Sequence, residues 1–174
     1  MTTPRDLAIL VLLLLTAALV RFILVCLGIQ LIPDIMIPFY CLVIMVILPD
    51  FLETLAIGAV FGLIAALIAP SFFDPVFLVS EPLGAAVCLG GFMTLRFRIK
   101  AAPFFTTVAA SIASGMVYTG LALSVGHVLP FRILPVTIDW LEFGLFFGIA
   151  TIMNGIIVTV LYPGVVGFRY RTNP

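Results

Sequence analysis

Charged side chains are scarce in this sequence of 174 residues, in which only 9% are Asp, Glu, Lys or Arg. Eight basic residues balance eight acidic ones, so the chain offers no strongly basic surface for nucleic acid. Hydrophobic residues make up 64% of the chain and the mean hydropathy is +1.37. A soluble domain of this size could not bury so much apolar surface. The composition therefore predicts a single membrane domain with the lipid bilayer, and not nucleic acid, as its partner.

The usual signatures of catalysis and cofactor binding are lacking as well. The sequence has no glycine-rich phosphate loop, no Ser-x-x-Lys motif and no His/Glu pattern that would hold a metal. Its three cysteines lie within apolar runs, as buried thiols do, without the spacing of metal ligands. A relay of acids inside the membrane, which an ion-coupled carrier would need, is also missing. We therefore predict no enzyme, no cofactor and no metal, and a protein that binds a small molecule without an energy source of its own.

Apolar runs separated by proline, glycine and charged residues predict six membrane-spanning helices. The first run is long and is followed by no small-x-small cleavage site, so it is not interpreted as a signal peptide. Pro70 and Pro163 mark predicted helix ends, and Pro82 fits the first turn of a helix. The predicted helices cover residues 7–28, 34–48, 52–69, 81–95, 102–125 and 140–162.

The distribution of Lys and Arg predicts the orientation of this six-helix, all-α bundle. With six spans, one side carries Arg5, Arg96, Arg98, Lys100, Arg169 and Arg171. The other side carries Arg132, with Arg21 just beneath it. The positive-inside rule then places both termini in the cytoplasm. The outer side has the longer loops and charges of both signs.

Polar residues within the predicted spans need partners. Arg21 lies about two turns from Gly28, and we expect its side chain to snorkel to the lipid headgroups, with a buried ion pair or substrate contact as alternatives. Asn154 lies at mid-membrane depth, where lipid offers no hydrogen bonds. We expect it to hydrogen-bond to the side of helix 5 that carries Ser111 and Ser114.

Small residues line one face of the third predicted helix. Gly58 and Gly62 are four residues apart, as are Ala65 and Ala69, so neighbouring backbones can approach closely. Helix packing is the favoured interpretation of this face. The alternative is that it lines a shallow site or slides against a partner protein.

The outer side holds the residues that could bind a zwitterionic aromatic amino acid. Such a ligand needs a cation for its carboxylate, an acid for its ammonium and an apolar slot for its ring. The candidate substrate-binding residues are Asp34, Asp74, Glu81, Tyr118, Arg132 and Trp140, and Phe72 and Phe73 can form the slot together with Tyr118 and Trp140. We expect residues 126–139 to fold over the bundle as a lid. In the alternative interpretation, Arg132 pairs with one of the acids on the surface.

Several short motifs, spread over most of the chain, follow one another in the same order as in a known protein family. They are Pro33-Asp34, Gly58-x-x-x-Gly62 with Ala65, Glu81-Pro82, Ser114-Gly115, and Asn154 with Tyr162-Pro163. In these pieces the chain resembles the substrate-binding S components of energy-coupling-factor (ECF) transporters, and most of all the tryptophan transporter family. The resemblance implies six helices and a substrate, with tryptophan as the candidate, bound near the outer face between loops 1, 3 and 5. It also implies a separate membrane coupling protein and two cytoplasmic ATPase subunits as partners.

One departure from the family concerns the first helix, which often carries a small-x-x-x-small face for docking on the coupling protein. Here residues 11–18 read VLLLLTAA, with small residues only at the end. Docking would then use another face, such as Gly58 and Gly62, or a different partner. The competing functions are a structural membrane scaffold of the cell-shape type and a membrane enzyme of lipid synthesis.

Overall fold

Six α-helices make up the fold of this computed structural model, which describes residues 4–28, 34–69, 74–125 and 140–171. The prediction of an all-helical fold with six helices is confirmed. The helices are α1 (Pro4–Cys26), α2 (Met36–Ile47), α3 (Phe51–Leu67), α4 (Phe77–Leu95), α5 (Ala102–Val125) and α6 (Trp140–Arg171).

Four of these helices are long and apolar enough to cross a membrane, as a multi-pass membrane protein requires. They are α1, α4, α5 and α6, whereas α2 has 12 residues and α3 has 17. A span needs roughly 20 residues, so α2 and α3 are shorter than the usual length. The long helices also expose large apolar side chains, which lipid would cover. In α1 these include Leu12, Leu15 and Leu19, each about 60% exposed.

The short helix α2 forms the centre of the bundle. All 12 of its residues are buried, and it contacts each of the other five helices. A helix that is apolar on every side is stable only when neighbours surround it, and this one is hydrophobic throughout its length. The α3–α4 pair and the α4–α5 pair make the most extensive helix contacts around it.

Helix α1 is attached to the bundle by a buried stripe that begins and ends with a charge. The stripe consists of Asp6, Ile9, Leu13, Ala17 and Arg21, at a spacing of three or four residues. Asp6 Oδ1 pairs with Arg169 in α6 at 3.1 Å, and Arg21 pairs with Asp34 ahead of α2. Fifteen residues of helix separate the two charges, or roughly 22 Å. These ion pairs therefore mark opposite ends of the bundle.

The chain reverses direction between α2 and α3 in three residues. Leu48 adopts a left-handed conformation with φ of 53°, and its N–H donates to the carbonyl of Ile44 at 2.8 Å. Asp50 then begins α3, because its carboxylate accepts the N–H of Glu53 at 2.8 Å while the Glu53 carboxylate accepts the N–H of Asp50. This reciprocal capping box satisfies two backbone donors at the start of α3.

Two predicted helix boundaries are wrong, and proline is involved in both. Helix α4 begins at Phe77, four residues before the predicted start, so that Pro82 lies inside it. Asp74 explains the early start, because its side chain and carbonyl accept the N–H groups of Val76 and Phe77. Helix α6 continues past Pro163 to Arg171. Proline is tolerated within membrane helices when neighbouring groups satisfy the backbone. The other boundaries agree with the prediction within one to three residues, the usual uncertainty of helix ends.

Candidate functional site

A set of buried polar side chains occupies the end of the bundle where α1 ends and where α2 and α4 begin. We call it the buried polar cluster. Every member is at most 8% exposed, in the interior of a largely apolar bundle. Its members are Arg21, Asp34, Tyr40, Asp74, Glu81, Ser111, Ser114, Tyr118 and Asn154.

Arg21 and Asp34 form an ion pair within this cluster. The second carboxylate oxygen of Asp34 accepts the N–H of Met36 at 3.0 Å, at the start of α2. The Arg21 guanidinium also lies over the ring of Phe77, 4.7 Å from its centroid, as in a cation–π contact. Arg21 is 8% exposed, so the expectation that it snorkels to the headgroups is wrong and the buried ion pair is what the structure shows. Asp34 lies within reach at the same depth, so the charge is paired inside the bundle.

Asp74 and Tyr118 connect the start of α4 to α5. The Tyr118 hydroxyl donates to Asp74 Oδ2 at 2.6 Å, and Asp74 Oδ1 accepts the N–H of Val76 at 3.1 Å. The Tyr118 ring also packs against Phe77, with centroids 4.8 Å apart. The carboxylate therefore has a hydrogen bond on each oxygen.

Glu81 is less completely paired than the two aspartates. Its Oε1 accepts the hydroxyl of Ser114 at 3.1 Å, whereas its Oε2 has no hydrogen-bond partner among the described residues. The Tyr40 hydroxyl lies beside Glu81 but makes no hydrogen bond of good geometry. Gly84 leaves room for that hydroxyl, because a Cβ there would lie 2.4 Å from it. A buried carboxylate oxygen and hydroxyl left without partners are costly and uncommon in proteins.

The charges of the cluster do not balance. Three carboxylates, those of Asp34, Asp74 and Glu81, surround one guanidinium, and Arg21 lies within electrostatic range of the other two acids. If all three acids are ionised, two negative charges remain unpaired among the described residues. Unpaired charge is expensive in a bundle enclosed by lipid. A cationic group bound beside Glu81 would reduce this cost.

Asn154 joins α6 to the same cluster. Its Nδ2 donates to the carbonyl of Asp34 at 3.1 Å and to the hydroxyl of Ser111 at 3.2 Å. The prediction that it bonds to the Ser111 side of helix 5 is therefore confirmed. Both amide hydrogens have an acceptor, so Asn154 links three parts of the bundle.

Gly58 and Gly62 lie directly behind Glu81, where α3 packs on α4. A Cβ at Gly58 would lie 2.6 Å from the Cα of Pro82, and one at Gly62 would lie 2.5 Å from the carbonyl oxygen of Phe77. These distances are too short for any side chain. The small face of α3 is thus covered by α4 of the same chain, which favours the helix-packing interpretation over docking of a partner.

The structure brings together four of the six residues predicted to bind substrate. Asp34, Asp74, Glu81 and Tyr118 all belong to the buried polar cluster. Trp140 is the first residue of α6, but its side chain is not described. The remaining candidates and the predicted lid lie outside the described residues: Phe72, Phe73, Arg132 and residues 126–139.

Tyr40 was not predicted to belong to the site, and Arg21 was expected at the lipid headgroups. A tyrosine in the middle of an apolar helix is a usable signal, because a buried phenol hydroxyl usually has a hydrogen-bond partner. For Arg21 the signal was its charge within a predicted span, which marks a functional site by default.

The chain matches no protein-family model, no curated protein and no solved structure.

Proposed function

We propose that this chain is the substrate-binding S component of an ECF-type importer. It captures a small molecule at the outer face and relies on a separate coupling protein and two ATPase subunits for transport. The observation that supports this most is the buried polar cluster, in which Glu81 Oε2 and the Tyr40 hydroxyl lie beside each other without a hydrogen bond of good geometry. A purely structural bundle gains nothing from such groups, whereas a ligand can satisfy them.

The proposal includes a six-span topology with both termini in the cytoplasm. Helices α2 and α4 run from the buried polar cluster toward the end that carries Arg96 and Arg169, and α6 runs toward the same end after it passes the cluster at Asn154. Positive residues are retained on the cytoplasmic side of membrane proteins. The buried polar cluster then lies toward the outside, where an imported substrate arrives.

The proposed ligand carries an ammonium group. Glu81 supplies an unpaired carboxylate oxygen, and the excess of acids over Arg21 favours a cation. Phe77 and Tyr118 provide aromatic surface next to these charges. A zwitterionic aromatic amino acid, with tryptophan as the candidate, has both features, and Arg132 is the candidate cation for its carboxylate.

A ligand screen on the purified protein tests the binding function. Aromatic amino acids should raise the unfolding temperature, and free ligand at 100 times its dissociation constant should add about 2.7 kcal/mol. The N-acetylated forms of the same amino acids lack the ammonium and should have no effect. Stabilisation by the acetylated forms as strong as by the free amino acids would contradict the assigned ligand class.

Uptake experiments test the dependence on partners. The chain should be expressed alone and together with an ECF coupling protein and its ATPase pair, and uptake of a ligand from the screen should be measured. We expect ATP-dependent uptake only with the full set of proteins. Equal uptake by the chain alone would rule out the S-component assignment while leaving ligand binding intact.

A further inference from the structure

A second candidate site lies at the end of the bundle opposite the buried polar cluster. A cavity of about 240 Å³ opens where α2, α4 and α6 end. We call it the basic cavity. Its lining includes Val46, Phe92, Arg96, Phe97, Val166 and Arg169.

The two arginines of the basic cavity differ in how they are held. Arg169 bonds to Asp6 at 3.1 Å and to the carbonyl of Val46, which fixes its position. Arg96 stacks on the ring of Phe97, with its guanidinium carbon 4.5 Å from the centroid. In the described part of the chain, Arg96 forms no ion pair, and its Nε is buried without a hydrogen-bond partner. Arg96 is therefore a cation that lacks an anion.

The rest of the lining is apolar and adjoins the outer surface of the bundle. Val46, Phe92 and Val166 form apolar walls, while Phe97 is 83% exposed. Arg98 and Lys100 follow on the exposed surface beyond α4 and would attract anions to this end. A cation within apolar walls at the end of membrane helices suits an amphiphile with an anionic head.

We propose that the basic cavity binds the phosphate of an anionic phospholipid from the surrounding bilayer. Arginine is suited to this ligand because its planar guanidinium donates paired hydrogen bonds to phosphate oxygens. Basic pockets between membrane helices on the cytoplasmic side bind such headgroups in other proteins. The cavity is smaller than the roughly 300–1,000 Å³ of sites for drug-sized molecules. It therefore holds the headgroup, and the acyl chains lie along the exposed apolar surface. This site does not depend on ligand binding at the other end, but its cytoplasmic placement rests on the proposed topology.

Lipid titration of the purified protein in neutral detergent tests the proposal. Short-chain phosphatidylglycerol, phosphatidylcholine with the same chains, and soluble glycerol phosphate are added separately, and dissociation constants are derived from the shift in unfolding temperature. Wild type should bind phosphatidylglycerol at least about tenfold more tightly than phosphatidylcholine, because the choline ammonium of the latter is repelled by Arg96 and Arg169. It should also bind phosphatidylglycerol more tightly than glycerol phosphate, which has no acyl chains to lie along the apolar surface.

Two substitutions of neighbouring arginines give a matched comparison. Arg96→Gln should weaken phosphatidylglycerol binding at least about tenfold. Arg98→Gln removes the same charge from the exposed surface and should change binding less than about twofold, because exposed charges interact weakly. Val166→Phe fills the cavity and keeps both arginines, so it should also abolish selective binding. This variant tests the site even if Arg96→Gln fails to fold.

Several outcomes would overturn the proposal. Equal binding of the two lipids would show that the acyl chains hold the lipid and that the cavity does not recognise an anionic headgroup. Equal losses in Arg96→Gln and Arg98→Gln would show that surface charge alone attracts the lipid. Undiminished selective binding in Val166→Phe would place the lipid outside the cavity. Glycerol phosphate binding as tight as that of phosphatidylglycerol would make the ligand a soluble phosphate and not a lipid.

Discussion

The two ends of the bundle differ in the sign, the burial and the pairing of their charges. In the buried polar cluster, three carboxylates surround Arg21, and all four groups are less than 9% exposed. At the basic cavity, Arg169 is paired with Asp6, whereas Arg96 is partly exposed and has no ion pair among the described residues. The same helices connect both ends. One bundle therefore combines an enclosed, mainly acidic cluster at one end with an open, basic cavity at the other.

Helix direction helps to explain this separation of charge. Asp34 and Asp74 lie just before α2 and α4, where backbone N–H groups point toward them. Arg96 and Arg169 lie at or near the last turns of α4 and α6. Helix N-termini stabilise negative charge and C-termini stabilise positive charge, each by about 0.3–1 kcal/mol. Because α2 and α4 run in the same direction, Asp34 and Asp74 lie at one end, whereas Arg96 lies at the other beside Arg169 of α6. Helix α1 runs in the opposite direction and adds one opposite charge to each end, Arg21 beside Asp34 and Asp6 beside Arg169.

The largest expected effect is a difference in stability between two variants in which an arginine is replaced by glutamine, one at each end of the bundle. Arg21→Gln leaves the buried acids without their cation and should lower the free energy of unfolding by about 3–5 kcal/mol. Arg96→Gln removes an arginine that has no ion pair and should change it by less than about 0.5 kcal/mol. Chemical denaturation in detergent measures both. Equal losses would show that the two arginines are not held differently, contrary to the comparison above.

A smaller effect is expected from adding one methyl group to a glycine of α3 or α4. A Cβ at Gly62 would lie 2.5 Å from the Phe77 carbonyl oxygen, behind the buried polar cluster, so Gly62→Ala should cost about 1–3 kcal/mol. Gly90 lies nearer the basic cavity with nothing within 4 Å of its Cβ position. Gly90→Ala should be neutral or stabilising by up to about 1 kcal/mol, because alanine favours helix. If both variants unfold alike, the packing of α3 on α4 is not as close as described.

The smallest stability effect is expected at Asn154. Asn154→Leu removes the hydrogen bonds to Asp34 and Ser111, and should cost about 0.6–1.7 kcal/mol. Thr159→Val is the control in the same helix, because that hydroxyl bonds only to the carbonyl of Gly155 one turn earlier, and should be nearly neutral. A melting curve unchanged in Asn154→Leu, together with lost ligand binding, would instead assign Asn154 to ligand contact.

Sequence reasoning succeeded where the membrane leaves one physical solution. The six helices follow from the apolar runs, because a backbone in lipid must satisfy its own hydrogen bonds. Asn154 had to find a partner for the same reason, and Ser111 was within reach on the neighbouring helix. The acids Asp34, Asp74 and Glu81 were expected on one side, since Asp34 and Glu81 begin predicted helices 2 and 4 and Asp74 lies in the loop before helix 4.

The sequence failed where the outcome depends on three-dimensional neighbours. The sequence does not show that Asp34 lies at the same depth in the bundle as Arg21, so it favoured a snorkelling Arg21 over a buried ion pair. The boundaries of α4 and α6 were misplaced because rules for proline were applied without the surrounding helices, which allow Pro82 and Pro163 inside. The close approach of Tyr40 to Glu81 depends on Gly84 in a different helix.

The central claim is that the acidic end of the bundle holds the small-molecule site. The most direct test measures the dissociation constant of a ligand from the screen by equilibrium dialysis, for wild type, Glu81→Gln and Arg96→Gln. Glu81→Gln should weaken binding at least about tenfold, because an ammonium loses its charged hydrogen-bond partner. Arg96→Gln, at the opposite end, should bind as wild type does. A folded Glu81→Gln protein that binds the ligand as tightly as wild type would contradict the claim.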